Sequence, residues 1–185
     1  MRFLPNIITV LRTLLIPVLA YMLFERRYGV AFVVFVAAAA SDVADGFIAR
    51  RFNAVSEFGA LLDPIADKLT MIVAAVMLAW QALLPVWLAA AIVVRDLVIV
   101  GGAIAYRRVV GHIEMQPTVL SKLNTGLEFA LLACVLAQAA RVLDASAWLP
   151  SAFAVLFATI VVSGVQYVWV WGRKAAKRGK ALSKR

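Results

Sequence analysis

The chain has 185 residues, 64% of them hydrophobic, and a mean hydropathy of +0.93, well above the ~45–50% apolar content of soluble domains. That composition argues against a soluble globular protein and for an all-α integral membrane protein. The net charge is +9, but seven of the nineteen Lys and Arg residues sit in the closing "WGRKAAKRGKALSKR", a pattern that suits anionic lipid headgroups beside a membrane helix rather than nucleic acid. The single Cys134 excludes an intramolecular disulfide.

Six transmembrane helices are predicted, near 6–25, 28–51, 58–80, 84–109, 117–140 and 148–172. The first apolar run is followed by "FERRYG" rather than a small-residue cleavage pattern, so a signal peptide is not expected. No Pro/Gly/Ser-rich linker or internal repeat suggests a second domain. Residues 1–172 are expected to form one membrane domain, with 173–185 as a basic cytoplasmic tail. Trp80, Trp87, Trp148, Trp169 and Trp171 fall near predicted span ends, where an aromatic belt would place them.

The loops set an orientation. Arg2, Arg50, Arg51, Arg107, Arg108, Lys122 and the seven basic residues of the tail fall on one side, thirteen in all, against Arg26, Arg27 and Arg141 on the other. The richer side is cytoplasmic by the positive-inside bias, which puts both termini there.

Between the second and third spans lies "SDVADGFIARRFNAVSEFGALLDPIADK", which holds five of the ten acidic residues. Asp42, Asp45, Gly46 and Ala49 fall at i, i+3, i+4 and i+7, and Gly59, Asp63 and Asp67 at i, i+4 and i+8. Each set occupies one helical face. A short cytoplasmic turn would make the two helices antiparallel neighbours, with the carboxylates between them just below the headgroups. Inserting an Asp at mid-helix costs about 3 kcal/mol, and mutual repulsion adds to it. Lys68 and Arg50 offset part of that charge. Divalent metal or protonation would supply the remainder. Oxygen-only ligands favour Mg²⁺ or Mn²⁺ over zinc.

Asp42-x2-Asp45-Gly46-x2-Ala49-Arg50-x8-Gly59-x3-Asp63-x3-Asp67 resembles, without departure in residue or gap, the signature of the CDP-alcohol phosphatidyltransferases, and the likeness extends over the six spans. The resemblance implies two divalent metal ions, Mg²⁺ or Mn²⁺, held by Asp42, Asp45, Asp63 and Asp67, with Asp67 also the general base. By the same likeness Gly46, Ala49 and Gly59 border the cytidine and Arg50 contacts the diphosphate. The implied reaction is phosphatidyl transfer from CDP-diacylglycerol to an acceptor hydroxyl with release of CMP. A homodimer and a bacterial cytoplasmic membrane, with the site facing the cytoplasm, are expected with it.

The acceptor is less strongly marked. "PNIITVLRTLLIP" resembles the subfamilies with glycerol-type acceptors, and "QPTVLSKLNTG" with "WVWGRK" resembles the eukaryotic-type cardiolipin synthases. Phosphatidylglycerol is therefore the expected acceptor, with glycerol 3-phosphate, the phosphatidylglycerophosphate synthase reaction, as the alternative. Arg107, Arg108 and Lys122 are the candidates for the acceptor phosphate, although helix-end cations also serve as membrane anchors. Arg95 and Asp96 are expected to pair within the bundle, and His112 to be a solvated loop residue. A divalent-cation or proton transporter is the rival of another class, but it would spread its carboxylates through the membrane depth rather than crowd half of them into one hairpin. A prenyl-diphosphate transferase would need more spans, and a structural protein leaves the aspartates without a purpose.

Overall fold

The computed structural model describes the backbone of residues 4–52, 57–110 and 119–182, and side chains within 13–41, 66–99, 121–166 and at 101. The described backbone holds six helices: α1 (Leu4–Phe24), α2 (Tyr28–Phe52), α3 (Glu57–Trp80), α4 (Val86–Val110), α5 (Val119–Ala139) and α6 (Leu149–Leu182). They match the predicted segments to within a few residues. The main difference is α6, which continues ten residues past 172, so most of the expected tail prolongs the helix. Ala, Lys, Arg and Leu make up nearly all of that extension, and these residues hold a helix by propensity where hydrophobicity has ended.

Helices α1, α3 and α5 end in the same way. Arg26, Ala82 and Arg141 take left-handed backbone with φ of 55°, 58° and 58°. The amide of the next residue then reaches back five positions: Arg27 to the carbonyl of Met22 at 2.9 Å, Leu83 to Leu78 at 2.9 Å, and Val142 to Ala137 at 2.8 Å. Each is a Schellman cap that satisfies carbonyls left open at a helix C-terminus. Side chains lock the first and second caps together. The Tyr28 hydroxyl donates to Gln81 Oε1 at 2.5 Å, and Gln81 Nε2 donates to the Leu23 carbonyl at 2.5 Å.

Among the described residues the helices close a ring in the order α1, α3, α4, α6, α5, α2, and α3 also reaches α5 across the middle. Helix α1 packs along both α2 and α3, which touch one another only slightly. The stretches of α2 and α3 next to their connection, where the expected pairing falls, lie outside the residues whose packing is described. Ala31, Ala74 and Ala75 are fully buried in this region, and their small side chains permit close approach of the backbones. Leu19, Leu23, Phe35, Leu78, Leu88, Ile92, Leu132 and Leu136 fill the rest of the core. Phe35 of α2 stacks on Phe129 of α5 with ring centroids 4.9 Å apart.

Much of the described outside is apolar as well. Val33, Val94, Leu97, Val155, Val162 and Val165 are all exposed. Trp80, Trp87 and Trp148 are exposed too, and all three stand at the end of the ring where α3 stops and α4 and α6 begin. Among the described residues one helical window, Leu149–Gln166, is both long and apolar enough to cross a bilayer, with shorter apolar helical stretches at Thr13–Phe24 and Tyr28–Ser41.

Candidate active site

The backbone puts Asp42, Asp45, Gly46, Ala49 and Arg50 on α2, and Gly59, Asp63 and Asp67 on α3. The side chains of all these residues except Asp67 lie outside the described set, as do those of Arg107 and Arg108 on α4. The position of His112 is also outside it. The signature is thus carried by two helices that both border α1 and both reach α5.

Asp67 is half-buried and lines a pocket of about 290 Å³ formed by α2, α3 and α5. Phe35, Ala38, Lys68, Thr125 and Phe129 are among the residues that share this wall. Lys122 is exposed on α5, and it is not among the residues lining the pocket. Lys68, expected only to offset the aspartates, is the cation among the described residues that lines the cavity.

Behind Lys68 runs a buried ionic chain. Lys68 Nζ donates to Asp96 Oδ1 of α4 at 2.5 Å, and Arg95 Nη1 donates to the same oxygen at 2.8 Å. Arg95 Nη2 donates to the carbonyl and hydroxyl oxygens of Ser121 on α5, at 3.3 and 3.2 Å. Glu128 Oε2, also on α5, is 3.7 Å from Arg95 Nη1. Arg95, Asp96 and Glu128 are 4%, 2% and 0% exposed. Charge this deep is tolerated because each group has an opposite partner across a helix interface. The chain continues polar toward α6, where Thr159 Oγ1 donates to Asn124 Oδ1 at 2.8 Å. The expected pairing of Arg95 with Asp96 is present. The sequence reading missed Glu128 and Asn124, although a polar pair four residues apart on one face of a helix expected to span the membrane was the available signal.

A second cavity, about 580 Å³, opens between α4 and α6 and is lined by aliphatic side chains with Arg95 at its inner end. The Lys68–Asp96–Arg95 chain therefore separates two cavities.

Among the described residues no group of three or more His, Cys, Asp or Glu is placed to hold a metal. Asp42, Asp45 and Asp63 fall outside that set. The signature donor set is carboxylate only, with one member, Asp67, on the pocket wall. That chemistry fits a hard divalent cation.

The chain is similar to several curated proteins. A probable cardiolipin synthase (CMP-forming) of Drosophila melanogaster is 33% identical over 142 residues, covering 68% of this chain and 44% of the relative. The human cardiolipin synthase (CMP-forming) is 34% identical over 149 residues, covering 72% and 50%. A CDP-diacylglycerol–glycerol-3-phosphate 3-phosphatidyltransferase of Pseudomonas fluorescens is 48% identical over 101 residues, covering 51% of each chain. The chain thus spans about half the length of these relatives. The family model for CDP-alcohol phosphatidyltransferases matches residues 2–171, a stretch that includes α1 to α5, α6 as far as residue 171, and the whole aspartate signature. The chain belongs to the CDP-alcohol phosphatidyltransferase family.

Proposed function

We propose that the protein transfers a phosphatidyl group from CDP-diacylglycerol to the hydroxyl of a glycerol-type acceptor and releases CMP, with phosphatidylglycerol as the acceptor and cardiolipin as the product. The observation that carries the transfer reading is the family match over residues 2–171, with Asp67 of its signature on the wall of a pocket. The similarity to cardiolipin synthases over 68–72% of the chain supports the acceptor. The higher identity to the Pseudomonas enzyme over a shorter stretch favours glycerol 3-phosphate as the second reading.

Asp42, Asp45, Asp63 and Asp67 would hold two Mg²⁺ or Mn²⁺ ions, which when bound neutralise the diphosphate and the departing CMP. Asp67 accepts the proton of the acceptor hydroxyl as its oxygen attacks the lipid-bearing phosphorus. Arg50 contacts the diphosphate, and Gly46, Ala49 and Gly59 leave room for the cytidine. Arg107, Arg108 and Lys122 remain the candidates for the acceptor phosphate at the helix ends.

The exposed aliphatic surface of the ring supports a bilayer as its surroundings, since soluble monomers rarely show contiguous apolar patches beyond a few hundred Å². Six spans, both termini and the site on the cytoplasmic side of a bacterial inner membrane, and a homodimer in contact with anionic lipid complete the proposal.

The test offers purified protein CDP-diacylglycerol and Mg²⁺ or Mn²⁺, with phosphatidylglycerol and glycerol 3-phosphate supplied separately. Metal-dependent CMP release and cardiolipin from phosphatidylglycerol are expected. Phosphatidylglycerophosphate alone would transfer the acceptor assignment to the second reading, and CMP release from neither acceptor would refute both. In the same assay Asp67→Asn is expected to abolish turnover while metal-dependent CDP binding persists. Full turnover would remove Asp67 from the base role.

A further inference from the structure

Among its described lining residues the pocket formed by α2, α3 and α5 offers few groups to an anion. Phe35, Ala38 and Phe129 are apolar. Thr70 and Thr125 also line it, but their hydroxyls donate to their own helix, to the carbonyls of Ala66 at 2.9 Å and Ser121 at 3.2 Å. Among the described lining residues Lys68 is the only cation. Arg95 is walled off behind Asp96 and borders the other cavity.

Lys68 is also held in an unusual way. Its side chain is 27% exposed while that of its partner Asp96 is 2% exposed. The ion pair therefore has one sealed side and one side open to the pocket. Asp96 Oδ1 occupies one of the three ammonium hydrogens, and the ammonium has two more to give. Asp96 does not neutralise Lys68 alone, because the same oxygen accepts Arg95 Nη1. Glu128 completes the charge balance from the Arg95 side. The result is a lysine held on its sealed side by a shared carboxylate oxygen, with donors left to turn toward the pocket, and one residue along the chain from Asp67.

We propose that Lys68 is a further catalytic residue, whose ammonium contacts a non-bridging phosphate oxygen of the substrate beside Asp67, and that Asp96 is the positioning residue that holds it there. This rests on the transfer reading above. During transfer the bond from the acceptor oxygen to phosphorus forms as the bond to the CMP oxygen breaks. The hydroxyl proton passes to Asp67. Lys68 keeps its protons throughout and stabilises negative charge on the phosphoryl oxygens. A lysine serves a phosphate as a point charge, and a positioned donor of this type accounts for about 10²–10³ in turnover where it has been removed.

The experiment compares wild type, Lys68→Met, Lys68→Arg and Asp96→Asn as full-length protein. It reads kcat, the KM of each substrate, and the protection that CDP with Mg²⁺ gives against thermal unfolding. Lys68→Met is expected to lower kcat about 10²-fold, Lys68→Arg to restore part of it, and Asp96→Asn to give a smaller loss. Weaker CDP protection and a raised KM for CDP-diacylglycerol would identify the donor phosphate as the one contacted. A raised KM for the acceptor alone would identify the acceptor phosphate. Unchanged kcat, KM values and CDP protection in Lys68→Met would overturn the proposal. So would losses in all three variants that merely track the amount of folded protein, with no rescue by arginine. Lys68-dependent CDP protection in a wild type that releases no CMP would refute the transfer reading while leaving the phosphate contact in place.

Discussion

Four charged side chains, Lys68, Arg95, Asp96 and Glu128, meet in an interior otherwise built from Leu, Ile, Ala and Phe. Breaking such a buried cluster by removing one partner leaves an uncompensated charge, at a cost of about 3–5 kcal/mol. Asp96→Ala is expected to lower stability by that amount, because both Lys68 and Arg95 lose their shared oxygen. Ser121→Ala is expected to cost only about 1 kcal/mol, since the carbonyl of Ser121 still accepts from Arg95. Denaturation of the two variants in the same detergent measures the difference, and equal effects would mean that Asp96 is not the hub. At this scale the sequence was legible only along single helices. The Asp42–Asp45 and Asp63–Asp67 spacings, and the Arg95–Asp96 neighbours, could be seen directly. Lys68 was matched to the nearby aspartates, yet its partner comes from 28 residues further along. Glu128 has no partner in its own helix that spacing would reveal, since its cation is on α4.

The helices themselves were nearly all legible, because long apolar runs separated by short polar breaks admit few other readings. Their ends were less so. "FERRYG", "WQALLP" and "AARVLD" carry no Gly or Asn at the left-handed position, although helices commonly stop on one. Left-handed backbone costs an ordinary L-residue about 1–2 kcal/mol, partly offset by the larger freedom that glycine loses on folding. Ala82→Gly is therefore expected to stabilise the protein by about 0.5–1 kcal/mol, with a rise of a few degrees in melting temperature. A fall on thermal unfolding would show that the Ala82 methyl makes a contact worth more than the relief of strain. The extension of α6 was hidden for the opposite reason. Hydropathy marks where a helix leaves apolar surroundings, whereas backbone propensity decides where it stops.

For the whole molecule, composition and loop charge pointed to a helical membrane bundle, and the exposed valines and leucines agree with that surface. The turn between α5 and α6 carries a local constraint of its own. The Ser146 hydroxyl and amide both donate to Asp144 Oδ1, at 2.6 and 3.1 Å, which holds the Asp144 carboxyl below its ordinary range. Ala147 is exposed in the same turn. In a Cys134→Ser background, Ala147→Cys is expected to react with a membrane-impermeant maleimide added outside intact cells. Labelling only after the cells are opened would reverse the proposed orientation. The ring order among the described residues was not legible, because the short connection between α2 and α3 gives no hint that α1 packs along both.

That placement of α1 has an evolutionary consequence. Among the described residues the two helices that carry the aspartate signature both pack on α1 and are both faced by α5, and neither α1 nor α5 contributes a signature residue. Substitutions on α1 and α5 can therefore alter how α2 and α3 sit without changing any signature residue. The segments that resemble particular subfamilies, "PNIITVLRTLLIP" and "QPTVLSKLNTG", lie largely on α1 and at the start of α5. On the proposed function, a lineage could change the acceptor alcohol by trading residues of these two helices while the aspartates of α2 and α3 stay as they are.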